Sequence, residues 1–550
     1  MVSRTQPLSL VPGLIAAAGL IGLAAAVFSV IFDLGIEGAG NDWPGNDWPG
    51  NDWQSIRHIL LFTLVQAGLS TVVAMALGVA LAWGLSHQRR FAGRSLLVAL
   101  LSTSMVLPTI VVILGLITVL GRNGWLNDIA DPLGLGIGGA IYGLGGIVVA
   151  HVYMDAPFIA RGLLQRLEAI PGEHLKLSRS LGLSAWQRFR FVEWPAMAAS
   201  FPSFAAIVFL LCFTSFPIVL ILGGSPKFNT LEVAIYEAIK LEFDLGRAMQ
   251  LALVQLAVCG GLVMVASGLR ARDASISSHH AGLRWPDSRL AVTVQALVIA
   301  SFAAFFLTPL LAVVVDGVAA DLVALIGADY FHRALGTSLI VATISTALTL
   351  VLALSIALAK RDFISPLRNP QNRLTWFLNW LLSFSGTLYM AVPALVLGLG
   401  FFLIARKLVA DTAVVAPLAV IAANVLIALP FALVILAPAA AKAALRFDRQ
   451  AMSLRLTGLN RWRVVEWPLM RAELGFAAAL SFCFSFGDLG VIALFGSRDF
   501  TTLPWLLYQK MGSYRTTEAA GIALILFVTV LVVFMIVPRL FAGRGHAETR

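Results

Sequence analysis

Long apolar stretches separated by short polar segments fill most of this sequence. A helix needs about 20 apolar residues to cross a hydrocarbon core of about 30 Å. Twelve windows of that length occur, and they predict an all-α polytopic membrane protein. We expect spans near residues 11–32, 58–86, 95–120, 140–161, 198–223, 248–269, 290–315, 336–359, 376–405, 414–440, 472–495 and 518–539.

Two polar, basic segments interrupt this pattern and resemble each other. We call Glu173–Pro195 the first basic loop and Arg446–Pro468 the second basic loop. Both end in Val-Glu-Trp-Pro, and the second lies roughly 273 residues after the first. Because a chain of apolar helices presents the same polar segment twice, we expect each loop to dock a partner.

The repeat extends over the whole half-chain. HVYMDAPFIA (151–160) aligns with NVLIALPFAL (424–433), and GGSPKFNTLEVAIY (223–236) aligns with FGSRDFTTLPWLLY (495–508). Parallel repeats of this kind share a pathway at their interface. The sequence therefore predicts two tandem six-helix repeats, with Pro108 and Pro393 in equivalent third helices. The predicted divisions are residues 1–270 with the first basic loop, a linker at 271–289, and residues 290–550 with the second basic loop.

The composition agrees with a membrane protein and sets its orientation. Of the residues, 59% are hydrophobic and 12% are charged, while the net charge is +10. If the N-terminus lies inside, 28 of the 39 Lys and Arg residues fall in inner segments and 11 in outer ones. This bias follows the positive-inside rule rather than indicating nucleic-acid binding. We therefore expect both basic loops and both termini in the cytoplasm.

Two segments near the N-terminus need interpretation. The apolar run after Arg4 is longer than a signal-peptide core, so we expect a retained first helix. The repeat NDWPGNDWPGNDW (41–53) lies on the predicted outer side. It is either a tandem expansion in a tolerant loop or a platform of Trp43, Trp48 and Trp53 for a ligand or the membrane interface.

Motifs for catalysis or nucleotide binding were not found in the sequence. It has no G-x-x-x-x-G-K-[ST], no H-E-x-x-H and no G-x-S-x-G. Its three cysteines have no metal-ligand spacing, and His279 and His280 fit a solvated linker. We therefore expect a transport subunit without a cofactor of its own, while a separate partner hydrolyses ATP.

The first basic loop resembles the cytoplasmic signature of ABC importer permeases: E-A-A, three residues, Gly, nine residues, I-x-L-P. Gly182 matches the Gly of the signature, and Val192, Trp194 and Pro195 match its Ile, Leu and Pro. Lys176-Leu177-Ser178 replaces E-A-A. The resemblance implies a type I ABC importer permease fold, in which this loop is a coupling helix docked in a groove of the ATPase.

The second basic loop departs further from the signature. Gly458 precedes Pro468 by ten residues, whereas Gly182 precedes Pro195 by thirteen. Three residues are nearly one helical turn, so we expect a shortened or re-aimed second coupling helix. The coupling residues implied by the resemblance are Gly182, Leu183, Trp186, Phe189, Pro195, Gly458, Leu459, Trp462 and Pro468.

Longer segments resemble a narrower family, the permease of the thiamine and thiamine pyrophosphate ABC importer of Gram-negative bacteria. They include VVAHVYMDAPFIARGLLQRLEAIPGE, LGGSPKFNTLEVAIYEAI, FSFGDLGVIALFG and TTLPWLLYQKMGSYR. The resemblance implies an inner-membrane permease that imports thiamine by alternating access. It also implies a periplasmic thiamine-binding protein and a cytoplasmic ABC ATPase dimer that binds ATP and Mg²⁺. A related fused permease for ferric iron, or an ion-coupled secondary transporter, are the alternatives.

Ionisable residues at membrane depth are costly and usually face a cavity or a partner. Asp155 and Asp488 are such residues, and carboxylates with aromatic faces could balance a thiazolium cation; helix bonding or pairing with nearby cations is the alternative. The candidate pathway residues are Asp155, Tyr153, Phe216, Phe484, Phe486 and Asp488. The candidates for docking the binding protein, or for interfacial anchoring, are Lys227, Arg498, Lys510, Tyr514 and Arg515.

Overall fold

A computed structural model describes residues 7–37, 50–134, 139–268, 288–364, 373–408 and 412–542. Every regular element within these ranges is helical, so the all-α prediction is confirmed. Residues 41–49 of the Trp-rich repeat, His279 and His280 lie outside the described residues, as does most of the predicted linker.

The α-helices before the linker, in chain order, are α1 (Pro7–Glu37), α2 (Gly50–His87), α3 (Arg94–Thr103), α4 (Thr109–Leu120), α5 (Trp125–Ala130), α6 (Leu144–Glu168), α7 (Gly172–Ser180), α8 (Ala185–Arg188), α9 (Trp194–Ala198), α10 (Phe201–Phe213), α11 (Pro217–Leu222), α12 (Leu231–Lys240) and α13 (Leu245–Gly268). Two 3₁₀ segments, Ser104–Val106 and Asp131–Leu133, lie among them. A π-helical segment, Phe189–Glu193, joins α8 to α9.

The α-helices after the linker are α14 (Arg289–Ala319), α15 (Leu322–Ile326), α16 (Asp329–Ile364), α17 (Arg373–Thr387), α18 (Ala394–Leu408), α19 (Thr412–Ser453), α20 (Gly458–Arg461), α21 (Trp467–Phe486), α22 (Gly490–Phe495), α23 (Leu503–Gly512) and α24 (Thr516–Ala542). A 3₁₀ segment, Leu388–Met390, follows α17. A second π-helical segment, Trp462–Glu466, joins α20 to α21.

Among the described residues, ten helices are long and apolar enough to cross a membrane. Two bent pairs raise the number to as many as twelve if each pair is one span. The bends are 57° in the pair Ala185–Ala198 and Phe201–Phe213, and 98° in the pair Arg373–Met390 and Ala394–Ala405. The structure therefore agrees with the number of spans predicted from the sequence.

Four of the predicted spans are wrong as single helices: 198–223 is divided into α10 and α11, and 472–495 into α21 and α22. The other two are 95–120 and 376–405. Of these two, the first is divided into α3 and α4 just before Thr109, and the second into α17 and α18 just before Ala394. A proline precedes each second piece, Pro108 in one and Pro393 in the other. Proline has no N–H to donate and disfavours helical geometry in the residue before it, so each span breaks at that point.

The described chain forms two compact units. We call residues 50–234 with 258–319 the first-loop unit, and residues 7–37 with 235–257 and 320–542 the second-loop unit. Each unit thus contains a helix from the other predicted half, α14 in the first-loop unit and α1 in the second-loop unit. These units differ from residues 1–270 and 290–550, which stay a prediction about repeats in the sequence.

In the first-loop unit, α2 packs along α6, α10 and α14, and α14 also packs on α4. Gly115 permits this last contact, because a Cβ there would lie 2.5 Å from the Pro309 carbonyl oxygen. Tyr153 fixes α6 to the same helix by donating from its hydroxyl to the Phe306 carbonyl at 2.6 Å. Close backbone approach at small residues is a common way to pack helices within a membrane.

In the second-loop unit, α16 packs along α19 and α21, and α1 lies against α16. Gly13 allows the approach of α1, because a Cβ there would lie 2.3 Å from Ala359 Cβ. Tyr389 donates from its hydroxyl to the Leu20 carbonyl at 2.6 Å. A glycine contact and a tyrosine hydrogen bond therefore hold α1 here, as they hold α14 in the first-loop unit.

Candidate functional site

The first basic loop turns sharply at Gly182, whose φ is +64°. The Leu183 N–H donates to the Ser178 carbonyl at 3.2 Å, which is the long hydrogen bond of a Schellman helix terminus. Ser184 and Gln187 then form a capping box at the start of α8. The loop is therefore an ordered helix-turn-helix that leads through the π-helical segment into α9.

The second basic loop has the same turn, but an arginine occupies its left-handed position. Arg455 has φ +52°, and the Leu456 N–H donates to the Ala451 carbonyl at 2.8 Å. Gly458 instead begins α20, where Ala185 begins α8, and both short helices have four residues. The prediction of a shortened or re-aimed second coupling helix is wrong, because Gly458 is not the equivalent of Gly182.

A constant sequence offset identifies the correct equivalence. Arg188 and Arg461, Glu193 and Glu466, and Pro195 and Pro468 are each 273 residues apart, and the same offset pairs Gly182 with Arg455. Glycine is the usual residue at a left-handed turn, since a Cβ there costs roughly 1–2 kcal/mol. Alignment on the glycine therefore placed the turn of the second loop three residues too late.

A buried cluster around Glu193 fixes the first basic loop to the end of α2. Glu193 Oε1 accepts from Arg188 Nε at 2.9 Å and from His87 Nε2 at 3.0 Å. His87 Nδ1 lies 3.1 Å from Arg188 Nη2. A guanidinium can only donate, so an imidazole that carries its hydrogen on Nε2 satisfies both contacts.

The second basic loop is fixed to the end of α16 by a more highly charged cluster. Glu466 Oε1 accepts from Arg461 Nε at 2.7 Å and also from Arg361 Nη1. Arg461 donates a further hydrogen bond to Asp448, and Arg361 Nη2 lies 3.1 Å from Asp362. Arg361 thus contacts the loop glutamate as His87 does in the first-loop unit. The residue 273 positions before Asp448 is Leu175.

Neither Glu193 nor Glu466 was predicted from the sequence to be a functional residue. Both side chains are buried, and each joins its loop to a membrane helix of the same unit. The sequence feature that could have identified them is the glutamate in both copies of Val-Glu-Trp-Pro, because a charged residue beside apolar residues needs a partner. These clusters hold the loops in place relative to α2 and α16.

Each basic loop exposes large apolar side chains at the same four positions. They are Leu181, Trp186, Phe191 and Trp194 in the first loop, and Leu454, Leu459, Val464 and Trp467 in the second. Trp186 is 67% exposed and Leu459 is 73% exposed. Contiguous exposed apolar side chains rimmed by polar residues are typical of protein-protein interfaces. The two loops therefore present matched apolar surfaces on rigid supports.

The coupling residues predicted from the sequence are divided between this surface and its support. Trp186 and Leu459 belong to the exposed surface. Phe189 and Trp462 are half-buried equivalents. The Phe189 ring lies 6.2 Å from the Trp194 ring, and the Trp462 ring lies 6.0 Å from the Trp467 ring, measured between centroids. Leu183 is half-buried, whereas Pro195 and Pro468 are exposed near the starts of α9 and α21.

In each unit a short helix begins at the membrane end opposite to the basic loop, α12 in the first-loop unit and α23 in the second-loop unit. Thr63 Oγ1 accepts from the Leu231 N–H at 3.1 Å, and Ser338 Oγ accepts from the Leu503 N–H at 2.8 Å. Along α2, Thr63 lies about 36 Å from His87, and Ser338 lies about 35 Å from Arg361 along α16. The starts of α12 and α23 are therefore one membrane thickness away from the basic loops.

The predicted docking residues lie near these opposite ends. Lys227 and Arg498 are exposed just before α12 and α23, and Tyr514 is 91% exposed after α23. Lys510 and Arg515 both contact Glu518, at 2.5 and 3.2 Å, and Lys510 Nζ also lies 4.3 Å from the centroid of the Tyr330 ring. Lys510 is therefore held in place, whereas the other four side chains are more exposed.

Asp155 lies in a polar cluster inside the first-loop unit. Its side chain is 7% exposed and accepts a hydrogen bond from Cys212 Sγ at 3.3 Å. One turn earlier on α6, His151 Nδ1 lies 3.2 Å from Ser70 Oγ. Gln66 donates to the Cys212 carbonyl at 2.9 Å. These contacts join α2, α6 and α10 around the carboxyl group.

Asp488 lies at the turn between α21 and α22 in the second-loop unit. Its Oδ1 accepts from the Gly490 N–H at 3.1 Å, while its buried Oδ2 has no hydrogen-bond partner among the described residues. Asn424, the equivalent of His151, donates to Ser485 Oγ at 2.8 Å. An unpaired buried carboxylate oxygen is costly, which distinguishes Asp488 from Asp155.

The four candidate pathway aromatics have different surroundings. Tyr153 is fully buried and its ring stacks on Phe306 at 5.0 Å, in addition to its bond to α14. Phe486 is buried and stacks on Phe482 at 5.4 Å, and Phe216 is also buried. Phe484 is half-buried and meets Phe431 edge-on at 5.0 Å. Of the four, Phe484 has the most accessible ring.

Comparison with known proteins places the chain in a family. Residues 74–273 match the model of the binding-protein-dependent transport system inner membrane component. Three thiamine transport system permease proteins ThiP are similar over most of their length. The protein from Salmonella typhimurium is 38% identical over 553 residues, covering 100% of both chains. The Brucella abortus protein is 37% identical over 88% of both chains.

The third relative, from Haemophilus influenzae, is 34% identical over 95% of both chains. The alignment with the Salmonella typhimurium protein covers the whole of this chain and therefore both basic loops. It confirms the expectation of a permease subunit rather than an enzyme. The chain therefore belongs to the family of thiamine transport system permease proteins.

Proposed function

We propose that this chain is the permease of an ATP-driven importer that moves thiamine and its phosphates from the periplasm to the cytoplasm. Thiamine is favoured over ferric iron because the full-length relatives bear the name of thiamine permeases. An ATP-driven importer is favoured over an ion-coupled transporter by one observation, the paired apolar surfaces on the two basic loops.

In this proposal the two basic loops are the contacts for a cytoplasmic ABC ATPase dimer that binds ATP and Mg²⁺. The exposed tryptophan and leucine side chains enter grooves of the ATPase. Glu193 and Glu466 fasten the loops to α2 and α16. Movement of the ATPase is therefore transmitted to the membrane helices rather than absorbed by a flexible linker. The helices respond by alternating access. Both termini lie in the cytoplasm, as the charge bias favours.

The opposite ends of the units receive cargo from a periplasmic thiamine-binding protein. Lys227, Arg498, Tyr514 and Arg515 are exposed there and suit an acidic or polar partner surface. Their separation from the loops by about one membrane thickness supports this role, since delivery and ATP hydrolysis occur on opposite faces. Lys510 positions Glu518 and Tyr330 beside them.

Asp155 and Asp488 are the proposed contacts for the cationic thiazolium ring along the pathway. Asp488 is the stronger candidate, because its Oδ2 has no hydrogen-bond partner among the described residues. A carboxylate with one committed oxygen can balance a passing cation without a full cage of ligands, which suits a conduit. Phe484, on the helix that precedes this turn, supplies the most accessible of the candidate aromatic rings.

The test is co-purification of the permease with its ATPase and binding protein, followed by vanadate-sensitive uptake into proteoliposomes. Labelled thiamine, thiamine pyrophosphate and ferric iron are compared in the same preparation. We expect uptake of thiamine that requires ATP and the binding protein. Uptake of iron alone, or thiamine uptake driven by an ion gradient without ATPase, would contradict the proposal.

The variant Asp488→Asn tests the pathway separately from coupling. We expect at least tenfold slower thiamine uptake with an ATPase rate close to that of the unmodified complex. Asp128→Asn is the matched control, since Asp128 is exposed in the first turn of α5 and the substitution removes the same charge. Unchanged uptake by Asp488→Asn would remove this residue from the pathway.

A further inference from the structure

An apolar groove runs between α3 and α14 in the first-loop unit. Its volume is about 450 Å³, and its lining atoms are almost entirely apolar. Phe91, Leu96 and Leu97 form one wall, while Ile299, Ala300 and Ala303 form the other. Phe91, Leu96 and Ala300 are exposed at its edges, and Leu97 and Ile299 are buried at its floor. We call this feature the α3–α14 groove.

The groove opens at the same membrane end as the first basic loop. Gln88, at its mouth, donates to Gln295 on α14 at 2.8 Å. The preceding residue, His87, contacts Glu193 of the loop. On α14 the lining extends from Ala296 to Leu307, a length of about 16 Å. That length corresponds to one leaflet of a hydrocarbon core of about 30 Å.

The mouth of the groove is strongly basic. Arg89 and Arg90 stand between two lining residues, Gln88 and Phe91, and Arg90 is exposed. Arg94 follows the lining residue Gly93 and is bonded to Glu168 at 3.0 Å. Arg289, exposed at the start of α14, lies about 9 Å along the helix from Gln295. Among these described residues, the carboxylate of Glu168 is thus set against four guanidinium groups.

We propose that the α3–α14 groove binds one anionic phospholipid of the leaflet on the basic-loop side. An acyl chain fills the apolar groove, and the phosphate contacts Arg90 and Arg89 at its mouth. Charge complementarity selects an anionic lipid, because basic pockets at the ends of membrane helices attract anionic headgroups. The lipid covers the apolar wall of α14, a helix that the first-loop unit takes from the other predicted half. This inference does not depend on the identity of the cargo.

The test uses the purified full-length permease in neutral detergent, titrated with dioleoyl phosphatidylglycerol or with dioleoyl phosphatidylcholine. Native mass spectrometry counts the bound lipid. We expect one phosphatidylglycerol to bind several-fold more tightly than phosphatidylcholine. Arg90→Gln weakens phosphatidylglycerol binding about fivefold, since each cation near an anionic lipid contributes about 1 kcal/mol. Arg373→Gln is the control, because it removes an exposed arginine at the start of α17.

A second variant tests the apolar wall. Ala300→Phe fills the groove from an exposed position and lowers the binding of both lipids, while Ser301→Phe adds the same ring to a different face of α14 and leaves binding unchanged. Both variants are compared for thermal stability, so that a folding defect is separated from a loss of lipid. The proposal would be overturned by equal affinity for the two lipids or by unchanged lipid binding in Arg90→Gln or Ala300→Phe. Losses of binding in the control variants equal to those in the test variants would also overturn it.

Discussion

The two basic loops have the same backbone but are fastened to their membrane helices by different side chains. Both have a Schellman turn, a four-residue helix and a five-residue π-helical segment at equivalent positions. The first is held by one arginine, one glutamate and an imidazole. The second is held by two arginines, Glu466 and two aspartates.

This difference shows which part of the loop the fold requires. The turn has the same backbone whether glycine or arginine occupies its left-handed position, and Arg361 takes the role of His87. The buried glutamate and the arginine five residues before it occur in both copies. Backbone geometry and the exposed apolar positions are therefore shared, while the surrounding charges differ. We expect the second loop to depend more heavily on electrostatic pairing than the first.

The largest expected effect comes from removing the shared glutamate. Glu466→Gln leaves two buried guanidinium groups short of a counter-charge and should lower the free energy of unfolding by about 3–5 kcal/mol. Glu193→Gln should cost less, about 1.5–3 kcal/mol, since it weakens hydrogen bonds to one cation and an imidazole. Thermal unfolding of the purified permease measures both variants.

Glu242→Gln is the control for these two variants. Glu242 pairs with Arg247 at 2.9 Å, but both side chains are at least one-third exposed, so its loss should change stability by less than about 1 kcal/mol. Equal losses in Glu193→Gln and Glu466→Gln would show that the number of cations in each cluster is unimportant.

A smaller effect is expected when the first cluster is converted toward the second. His87→Arg places a second guanidinium beside Arg188, where Glu193 is the shared acceptor, and we expect a loss of roughly 2 kcal/mol. Leu175→Asp introduces the equivalent of Asp448 and should recover about half of this loss. A double-mutant cycle on thermal stability measures the coupling. Additive losses would mean that Leu175 and Asp448 are not equivalent in their surroundings.

Truncation of the exposed surface tests whether the loops are equal partners for the ATPase. Trp186→Ser should weaken ATPase binding by roughly 2 kcal/mol or more, because interface tryptophans are frequent hot spots. Leu459→Ser, at the equivalent position, should cost about half as much. Neither change should lower thermal stability, since both side chains are mainly exposed. Leu241→Ser serves as the control outside the loops, and a matching loss there would contradict the assignment.

The smallest effect is expected at the turn itself. Arg455→Gly removes a Cβ from a left-handed residue and should stabilise the permease by about 1 kcal/mol, whereas Gly182→Arg should destabilise it by a similar amount. Opposite shifts in the thermal unfolding of the two variants would support the pairing of Gly182 with Arg455. Shifts of the same sign would contradict it.

Much of the fold could be predicted from the sequence because membrane spans and positive charge bias are local patterns. Twelve apolar windows agree with the number of spans in the structure once the two bent pairs are included. The breaks before Thr109 and Ala394 were missed, although Pro108 and Pro393 were recognised as equivalent. Average hydrophobicity does not register a missing hydrogen-bond donor, so a window scan joins two short helices into one.

The anchoring of the loops could not be predicted in the same way. His87 and Glu193, or Arg361 and Glu466, are about one hundred residues apart and meet only after α2 and α16 are packed. The exchange of α1 and α14 between units is also a property of tertiary packing, which the helix pattern does not specify. Comparison of the two repeats at a fixed sequence offset would have placed the turn of the second basic loop at Arg455. It would not have identified the residues of α2 and α16 that anchor the loops.

The contact between Gly13 and Ala359 has a consequence for synthesis of the chain. The first helix emerges from the ribosome roughly 350 residues before the helix that covers it, a delay of about 20–70 s at 5–20 residues per second. During that time the glycine-containing face of α1 lacks the α16 residues that cover it in the finished protein. Assembly of the second-loop unit is therefore a late event, completed after every helix that separates these two residues has been inserted.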